Sequence, residues 1–381
     1  MKSRGFSLKK LAQYFHGPSK HKSTYTFDDV VSSLIPVLPH LSNVCELNIE
    51  LWHVPSDIVT PLFQSICASF GRNLDQLFIR GRLDACRIFV EACEPLPKFE
   101  KLKMLDMELA NTLSLDQGDT LGEDKAILVN SVAPFVGRLA PTLETLRVQS
   151  LTDFSGFYDV LAATDFPTIK EFNVRMAFDQ TLGQPESLKW FLLGCRASLE
   201  DLELRLNYSN LIQLKPSPLA TPSRASLDPL SEERLGTWFT NFAQNESGEN
   251  STFPKLKRLD LYPSNTAAGL QALLFIIHGT PTLLELTIRD RYFPLNEAKT
   301  VINTISGRLK WLKMNVICLD IELLDLLVQT LPCLEELCLS VTEVVGSNGV
   351  STSSYSPFLN LYISCCPLIE YLLPTSKSET L

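Results

Sequence analysis

Short apolar phrases recur along this chain, and within each phrase apolar and polar residues alternate. Three examples are LPCLEELCLSV (331–341), FPKLKRLDLYP (253–263) and TPTLLELTIRD (280–290). They share the form apolar-x-x-apolar-x-apolar, with a proline two residues before the first apolar position. Alternation in twos is typical of a strand with one buried face, so each phrase predicts a β-strand.

Between the phrases the apolar residues recur every three or four positions, which predicts amphipathic helices. The predicted helical segments are 27–38, 56–70, 83–93, 123–139, 154–164, 185–195, 231–245, 266–279, 296–309 and 320–331. The recurring proline fits the point at which a helix ends and the chain enters the next strand, because proline does not continue a helix.

The phrases are spaced regularly along the chain. Their penultimate apolar positions are Leu47, Leu77, Leu105, Leu146, Phe172, Leu202, Leu259, Leu286, Leu312, Leu337 and Leu372. Most intervals between these markers are 25 to 30 residues, which is the period of a leucine-rich repeat. One repeat cannot bury its apolar faces alone, but stacked repeats can. We therefore predict an α/β solenoid of irregular leucine-rich repeats, with a curved parallel sheet on the concave face and helices on the convex face.

The phrases LPCLEELCLSV, LAPTLETLRVQSL and FPKLKRLDLYP resemble the irregular repeats of F-box/leucine-rich-repeat proteins, especially the F-box-like proteins of fungi. The resemblance covers about residues 30–373, although the asparagine or cysteine ladder of strict repeats is mostly missing. It implies substrate recognition for a cullin-type ubiquitin ligase, whose adaptor an F-box would dock.

Residues 1–26 show no F-box. Three interpretations stay open: a truncated gene model, a paralogue that acts like a dominant negative, and an independent binding protein. The adaptor is an expected partner only if an F-box is supplied upstream.

The predicted domain organisation has one solenoid between two tails. Residues 1–26 are basic, with no acidic residue before Asp28, and predict a flexible solvated tail; an organelle-targeting peptide is the alternative. The solenoid covers 27–373, with polar insertions near 110–122 and 207–229. Residues 374–381 form the C-terminal tail.

Composition limits the kinds of partner and the cellular compartment that the sequence predicts. The net charge of -9 and the pI of about 5.2 argue against nucleic acid, because phosphate binding needs a basic surface. No apolar run reaches the length that a membrane span needs. With no secretory signal, the ten cysteines predict reduced thiols in an intracellular protein, cytoplasmic or nuclear.

The solvent-facing side chains of the concave sheet are the candidate binding site. The residue types that anchor interfaces are aromatic residues and arginine. The candidates are Phe78, Arg80, Arg147, Arg175, Arg205, Tyr262, Arg289 and Trp311. Arginines suit a partner with acidic or phosphorylated groups. The alternative is that carboxylates on neighbouring strands simply neutralise these arginines.

No motif for catalysis is present. The chain lacks a glycine-rich phosphate loop, a GxSxG turn and an HExxH helix, and its cysteines do not have zinc-site spacing. We therefore expect no enzyme activity, no metal and no cofactor. The predicted function is a protein-protein interaction solenoid that recognises ligase substrates. The alternative is a stand-alone scaffold or inhibitor unrelated to ubiquitination.

Overall fold

The computed structural model describes residues 6–7, 26–41, 43–52, 56–94, 99–111, 120–150, 156–176, 178, 185–207, 228–244, 253–345 and 359–364. The chain divides into two compact units. The first unit comprises Met1–Leu199 and Leu206–Ala225, and the second comprises Glu200–Arg205 and Ser226–Leu381. Each unit alternates strands with helices, as the repeat predicts.

In the first unit neighbouring strands pair in parallel and in chain order. The strands described are β1 (Phe6–Ser7), β2 (Glu46–Leu51), β3 (Gln76–Arg82), β4 (Met104–Ala110), β5 (Thr145–Ser150) and β6 (Glu171–Arg175). The helices are α1 (Phe27–Leu34), α2 (Ser56–Phe70), α3 (Leu83–Cys93), α4 (Thr120–Ile127), α5 (Ala133–Leu139), α6 (Phe157–Ala162) and α7 (Pro185–Cys195).

The second unit repeats this arrangement. Its strands are β7 (Asp201–Arg205), β8 (Arg258–Leu261), β9 (Glu285–Phe293), β10 (Trp311–Leu319), β11 (Glu336–Val344) and β12 (Leu359–Ser364). Its helices are α8 (Pro229–Ala243), α9 (Ala267–His278), α10 (Leu295–Thr304) and α11 (Ile321–Thr330). From β7 to β11 the strands are parallel, so the predicted leucine-rich-repeat solenoid is confirmed in both units.

The repeat markers lie side by side, as predicted. In the first unit the aligned residues are Leu47, Leu77, Leu105, Leu146 and Phe172. In the second they are Leu202, Leu259, Leu286, Leu312 and Leu337. All ten side chains are buried. Burial of each leucine stabilises the folded state by about 1.5–3 kcal/mol. Successive repeats, here called rungs, therefore stabilise one another through this row of buried side chains, here called the spine.

One strand departs from the predicted pattern. The repeat predicts parallel strands throughout, whereas β12 is antiparallel to β11, with Cys338 opposite Tyr362. Antiparallel neighbours need only a reversal of the chain and no helical crossover, so this strand breaks the repeat. The last predicted marker, Leu372, lies outside the described residues.

Five strands follow a turn that contains the recurring proline. These prolines are Pro141, Pro167, Pro254, Pro281 and Pro332. Two successive amides then donate to one carbonyl of the preceding rung, as Leu284 and Glu285 do to Lys257 at 2.8 and 2.9 Å. At this turn the Thr282 hydroxyl also donates to the Leu256 carbonyl at 2.8 Å.

Helix boundaries follow local chemistry. Asp228 and Asp320 precede α8 and α11, and their carboxylates accept hydrogen bonds from first-turn amides. The predicted helix 123–139 is divided, because a π-helical turn at Leu128–Val132 separates α4 from α5. Pro134 lies just after that turn, and a proline cannot donate the usual α-helical hydrogen bond.

A disulfide joins Cys67 of α2 to Cys93 of α3, with the two Cα atoms 5.9 Å apart. This corrects the prediction that all cysteines are reduced thiols. The separation of 26 residues is one repeat, so stacking brings the same helical position of successive rungs together. Cys86 and Cys195 are free and buried, and burial raises the pKa of the Cys195 thiol to about 12.

The predicted domain boundaries stay a prediction. The N-terminal tail is described only at Phe6–Ser7 and at its last residue, Thr26, and most of both insertions and all of 374–381 lie outside the described residues.

Candidate functional site

One face of each parallel sheet is buried under the helices, and the other, here called the open face, is partly exposed. On β2 and β4 buried and part-exposed residues alternate strictly, so every second side chain reaches the open face. The open-face residues align in rows across the strands. The middle row of the first unit is Asn48, Phe78, Asp106, Arg147 and Asn173.

The arginines of the first unit face carboxylates. Arg147 donates to Glu171 through Nε at 2.7 Å, and its second nitrogen lies 2.6 Å from the same oxygen. Asn173 donates to that oxygen at 2.9 Å. Arg80 lies more loosely, 3.6 Å from Glu108. The predicted alternative, cross-strand charge pairing, therefore describes Arg80 and Arg147.

Asp106 lies at the centre of this face. Its burial raises the pKa of the carboxyl, and Arg147, Arg80 and Arg175 oppose that shift. Three of the predicted site residues therefore act electrostatically on this carboxyl, and Phe78 is its register neighbour on β3. The structure thus brings Phe78, Arg80, Arg147 and Arg175 together around one half-buried acid.

The arginines of the second unit also pair with carboxylates, within one strand for Arg205 and across two strands for Arg289. Arg205 lies 2.6 Å from Glu203. Arg289 holds Asp260 with two nitrogens, the Nε contact being 2.6 Å, whereas burial raises the pKa of the Asp260 carboxyl. These guanidinium groups already have carboxylate partners, which weakens the predicted preference for an acidic partner.

Tyr262 does not belong to the open face. Its side chain is 1 % exposed, and its hydroxyl donates to Glu232 of α8. Asn265 donates to Glu232 through its backbone amide at 2.8 Å and to the Tyr262 hydroxyl through its side chain at 2.7 Å. Burial is the main cause that raises the pKa of the Tyr262 hydroxyl, and the hydrogen bond to Glu232 raises it further. The expectation of an exposed aromatic ring here is wrong because β8 ends at Leu261 and strand alternation ends with it.

Glycine lets α8 and α9 pack closely beside this cluster. A Cβ atom on Gly269 would lie 2.0 Å from the Pro263 carbonyl oxygen, and one on Gly236 would lie 2.3 Å from the Thr266 hydroxyl. Arg291 also binds the backbone here, donating to the carbonyls of Ser264 and Thr266 at 2.6 and 2.7 Å. The surroundings of Tyr262 are therefore a filled structural network.

Trp311 does lie on the open face, and it has an aromatic neighbour that sequence reasoning missed. Its ring centroid is 6.3 Å from that of Tyr362 on β12, with the planes at 62°. The Tyr362 side chain is 59 % exposed, and its hydroxyl donates to Glu336. The alternating residues LNLYIS (359–364) were the available signal for this strand.

The described residues contain no group of three or more His, Cys, Asp and Glu side chains that could hold a metal ion. Nor does any helix within the described ranges have the length and apolar character needed to cross a membrane.

No family model matches the chain, and no curated protein matches it in sequence. Among solved structures, a chain of the yeast Rad7–Elc1 complex is similar at a TM-score of 0.34 and 14% identity, covering 91% of this chain and 89% of that chain. A protein from Bacteroides fragilis is similar at a TM-score of 0.35 and 11% identity, covering 75% and 73%. Both TM-scores are low, so neither likeness indicates a function for this chain.

Proposed function

We propose that this protein is a non-enzymatic recognition solenoid that binds a protein partner through the open faces of its sheets. The observation that carries the proposal is the row arrangement of part-exposed side chains on each open face. Side chains at fixed register form a broad, preorganised surface, which limits the ordering cost of binding. Aromatic and arginine side chains among them are the types that anchor protein interfaces.

Matched substitutions on the two sides of each unit test this proposal. Gln76→Arg places a bulky charge on the open face of β3, and Gln64→Arg makes the same change on the exposed side of α2. Thr287→Arg on β9 and Thr300→Arg on α10 form the same kind of pair in the second unit. Quantitative mass spectrometry compares the proteins that each tagged variant retains from an extract of the source cells.

We expect specific partners to be lost from an open-face variant and kept by its helix-side control. Loss from both members of a pair to the same extent, or from neither, contradicts binding through the open face. Circular dichroism of all four variants separates lost binding from lost structure.

A narrower form of the proposal is substrate recognition for a cullin-type ubiquitin ligase. Its support is the resemblance of the repeat phrases to F-box/leucine-rich-repeat proteins. Co-purification of the cullin adaptor with the full-length natural protein is the expected result. Absence of the adaptor would leave the alternative, a scaffold or inhibitor that uses the same surfaces without a ligase.

A further inference from the structure

We propose that the open face of β9–β12 binds a basic side chain, arginine or lysine, of the partner. The site, here called the Trp311 surface, consists of Glu285, Trp311, Glu336 and Tyr362. This inference rests on the proposed function and specifies the chemistry of the partner at one place. The arginines in the sequence suggest an acidic partner, whereas this site would bind a basic group.

Strand register places a carboxylate on each side of the indole. Trp311 of β10 is the register partner of Glu285 on β9 and of Glu336 on β11. Adjacent strands are about 4.8 Å apart, so the two acidic side chains leave the sheet directly beside the ring. A guanidinium or ammonium group above the indole would lie within reach of both carboxylates.

The aromatic residues supply the second element of cation recognition. Trp311 and Tyr362 meet at an angle of 62°, which makes a corner and not a flat stack. Cations are attracted to the face of an indole or phenol ring, most strongly to tryptophan. Glu336 accepts a hydrogen bond from the Tyr362 hydroxyl and raises the pKa of that tyrosine, so the phenol stays neutral and held in place.

The Glu285 carboxylate of this surface is available to bind a ligand. The Glu285 side chain is exposed, and its carboxylate makes no hydrogen bond or ion pair within the described part of the chain. The neighbouring arginines differ, since Arg258 lies 2.6 Å from Asp201 and Arg289 holds Asp260. The Trp311 surface therefore presents acceptors and aromatic faces, while nearby guanidinium groups are neutralised.

Two cations are weighed against this proposal, Arg258 and Lys313. Arg258 is the register partner of Glu285 on β8, and its guanidinium group already binds Asp201. Lys313 follows Trp311 by two residues, opposite Thr287 and Cys338, and it has no ion pair among the described residues. Its single charge offsets one of the two carboxylates. Removing the Lys313 charge should strengthen the binding of a basic ligand and weaken the binding of an acidic one.

The test uses the full chain labelled with 5-fluorotryptophan and followed by ¹⁹F NMR. The chain has four tryptophans, and Trp311→Phe identifies the Trp311 signal by its disappearance. The probes are two blocked peptides of equal length, one alternating glycine with arginine and the other alternating glycine with glutamate. We expect the arginine peptide to shift the Trp311 signal saturably and the glutamate peptide to leave it unchanged.

Charge-removing variants then test the assigned contacts. Glu285→Gln and Glu336→Gln should each weaken binding of the arginine peptide by about two- to fivefold, the range of an exposed ion pair. Lys313→Gln should leave that binding unchanged or strengthen it by about the same factor. The other three tryptophan signals report whether each variant stays folded.

Three results would overturn the proposal. They are a shift by the glutamate peptide that Lys313→Gln weakens, no shift by either peptide, and a shift on changing protein concentration alone, which would indicate a second copy of this chain. If the peptide test fails while partner capture still depends on Thr287 and not on Thr300, only this inference is wrong. If capture is indifferent to the open face, the proposed function itself fails.

Discussion

At the scale of single residues, burial separates side chains that look alike in the sequence. Tyr262 and Tyr362 are both tyrosines whose hydroxyls donate to a glutamate, Glu232 and Glu336 respectively. One ring is 1 % exposed and the other 59 % exposed. A buried polar contact is costly to leave unmade, whereas water replaces an exposed one.

Tyr262→Phe should therefore lower the free energy of unfolding by about 1–3 kcal/mol, because Glu232 loses a donor inside the protein. Tyr362→Phe is the matched control, and its effect should stay within about 0.5 kcal/mol. Urea titration followed by circular dichroism measures both. Equal losses in the two variants would show that the Tyr262 network does not stabilise the fold.

Asp106→Asn should change how stability depends on pH. Burial raises the pKa of Asp106 above its ordinary value of 3.8, so the folded state binds this proton more tightly than the unfolded state does. The natural protein then loses stability from this group as the pH rises above about 3.8, and the variant does not. The stability gained by the variant should grow through that window and become constant above the folded-state pKa.

Urea titrations across this pH range measure the difference between the two proteins, in which all other groups cancel. Asp228→Asn is the control of opposite sign, since hydrogen bonds from Ser231 lower the pKa of Asp228. The Asp228 window lies below pH 3.8, where the natural protein should gain relative stability as the pH rises, so the titrations extend below that value. A pH-independent difference for Asp106→Asn would contradict its raised pKa.

At the scale of elements, the turn before each strand connects one rung to the preceding one. The Thr168 hydroxyl donates to Leu143 at 3.0 Å, and the Thr282 hydroxyl donates to Leu256 at 2.8 Å. Both threonines directly follow the recurring proline, so the phrase carries a polar connection between rungs as well as an apolar spine. The sequence did not predict this hydrogen bond, because a threonine after the proline also fits an ordinary turn.

Thr282→Val keeps the shape of the side chain and removes its donor, so it should lower the free energy of unfolding by about 0.5–1.5 kcal/mol. Thr300→Val is the control, because the Thr300 hydroxyl donates to the Asn296 carbonyl on the exposed side of the same helix. Its effect should lie within about 0.5 kcal/mol. Thermal or urea unfolding measures both variants. If Thr282→Val leaves the free energy of unfolding unchanged, the turn hydrogen bond does not stabilise the fold.

At the scale of the whole molecule, stability should be distributed rung by rung. In a stacked repeat each rung contacts only its neighbours, so damage to one rung spreads first to the adjacent ones. The first unit suits a test of this, because its markers from Leu47 to Phe172 are aligned in register.

Leu146→Ala removes one buried marker from β5 and should cost about 2–5 kcal/mol. Amide hydrogen exchange measured by mass spectrometry should accelerate most in β4, β5 and β6 and less in β2, which lies three strands from β5. Val37→Ala, at an exposed position of the same unit, should leave these rates unchanged. Equal acceleration in β2 and β4 would mean that the unit unfolds as one cooperative body.

The sequence by itself determined the repeat, its period, the aligned leucines and most helix boundaries. These follow from which residues avoid water, and that preference is carried by each residue and its close neighbours. Helices 56–70, 83–93 and 185–195 match α2, α3 and α7 for that reason.

Only the tertiary structure decided where alternation stops and what faces what. Tyr262 leaves the open face because β8 has ended, Tyr362 joins Trp311 because β12 runs antiparallel, and Cys67 meets Cys93 because rungs stack one repeat apart. The pairing of Arg147 with Glu171 likewise depends on strand register. Such contacts join residues distant in the chain, and no local pattern of apolar and polar residues specifies them.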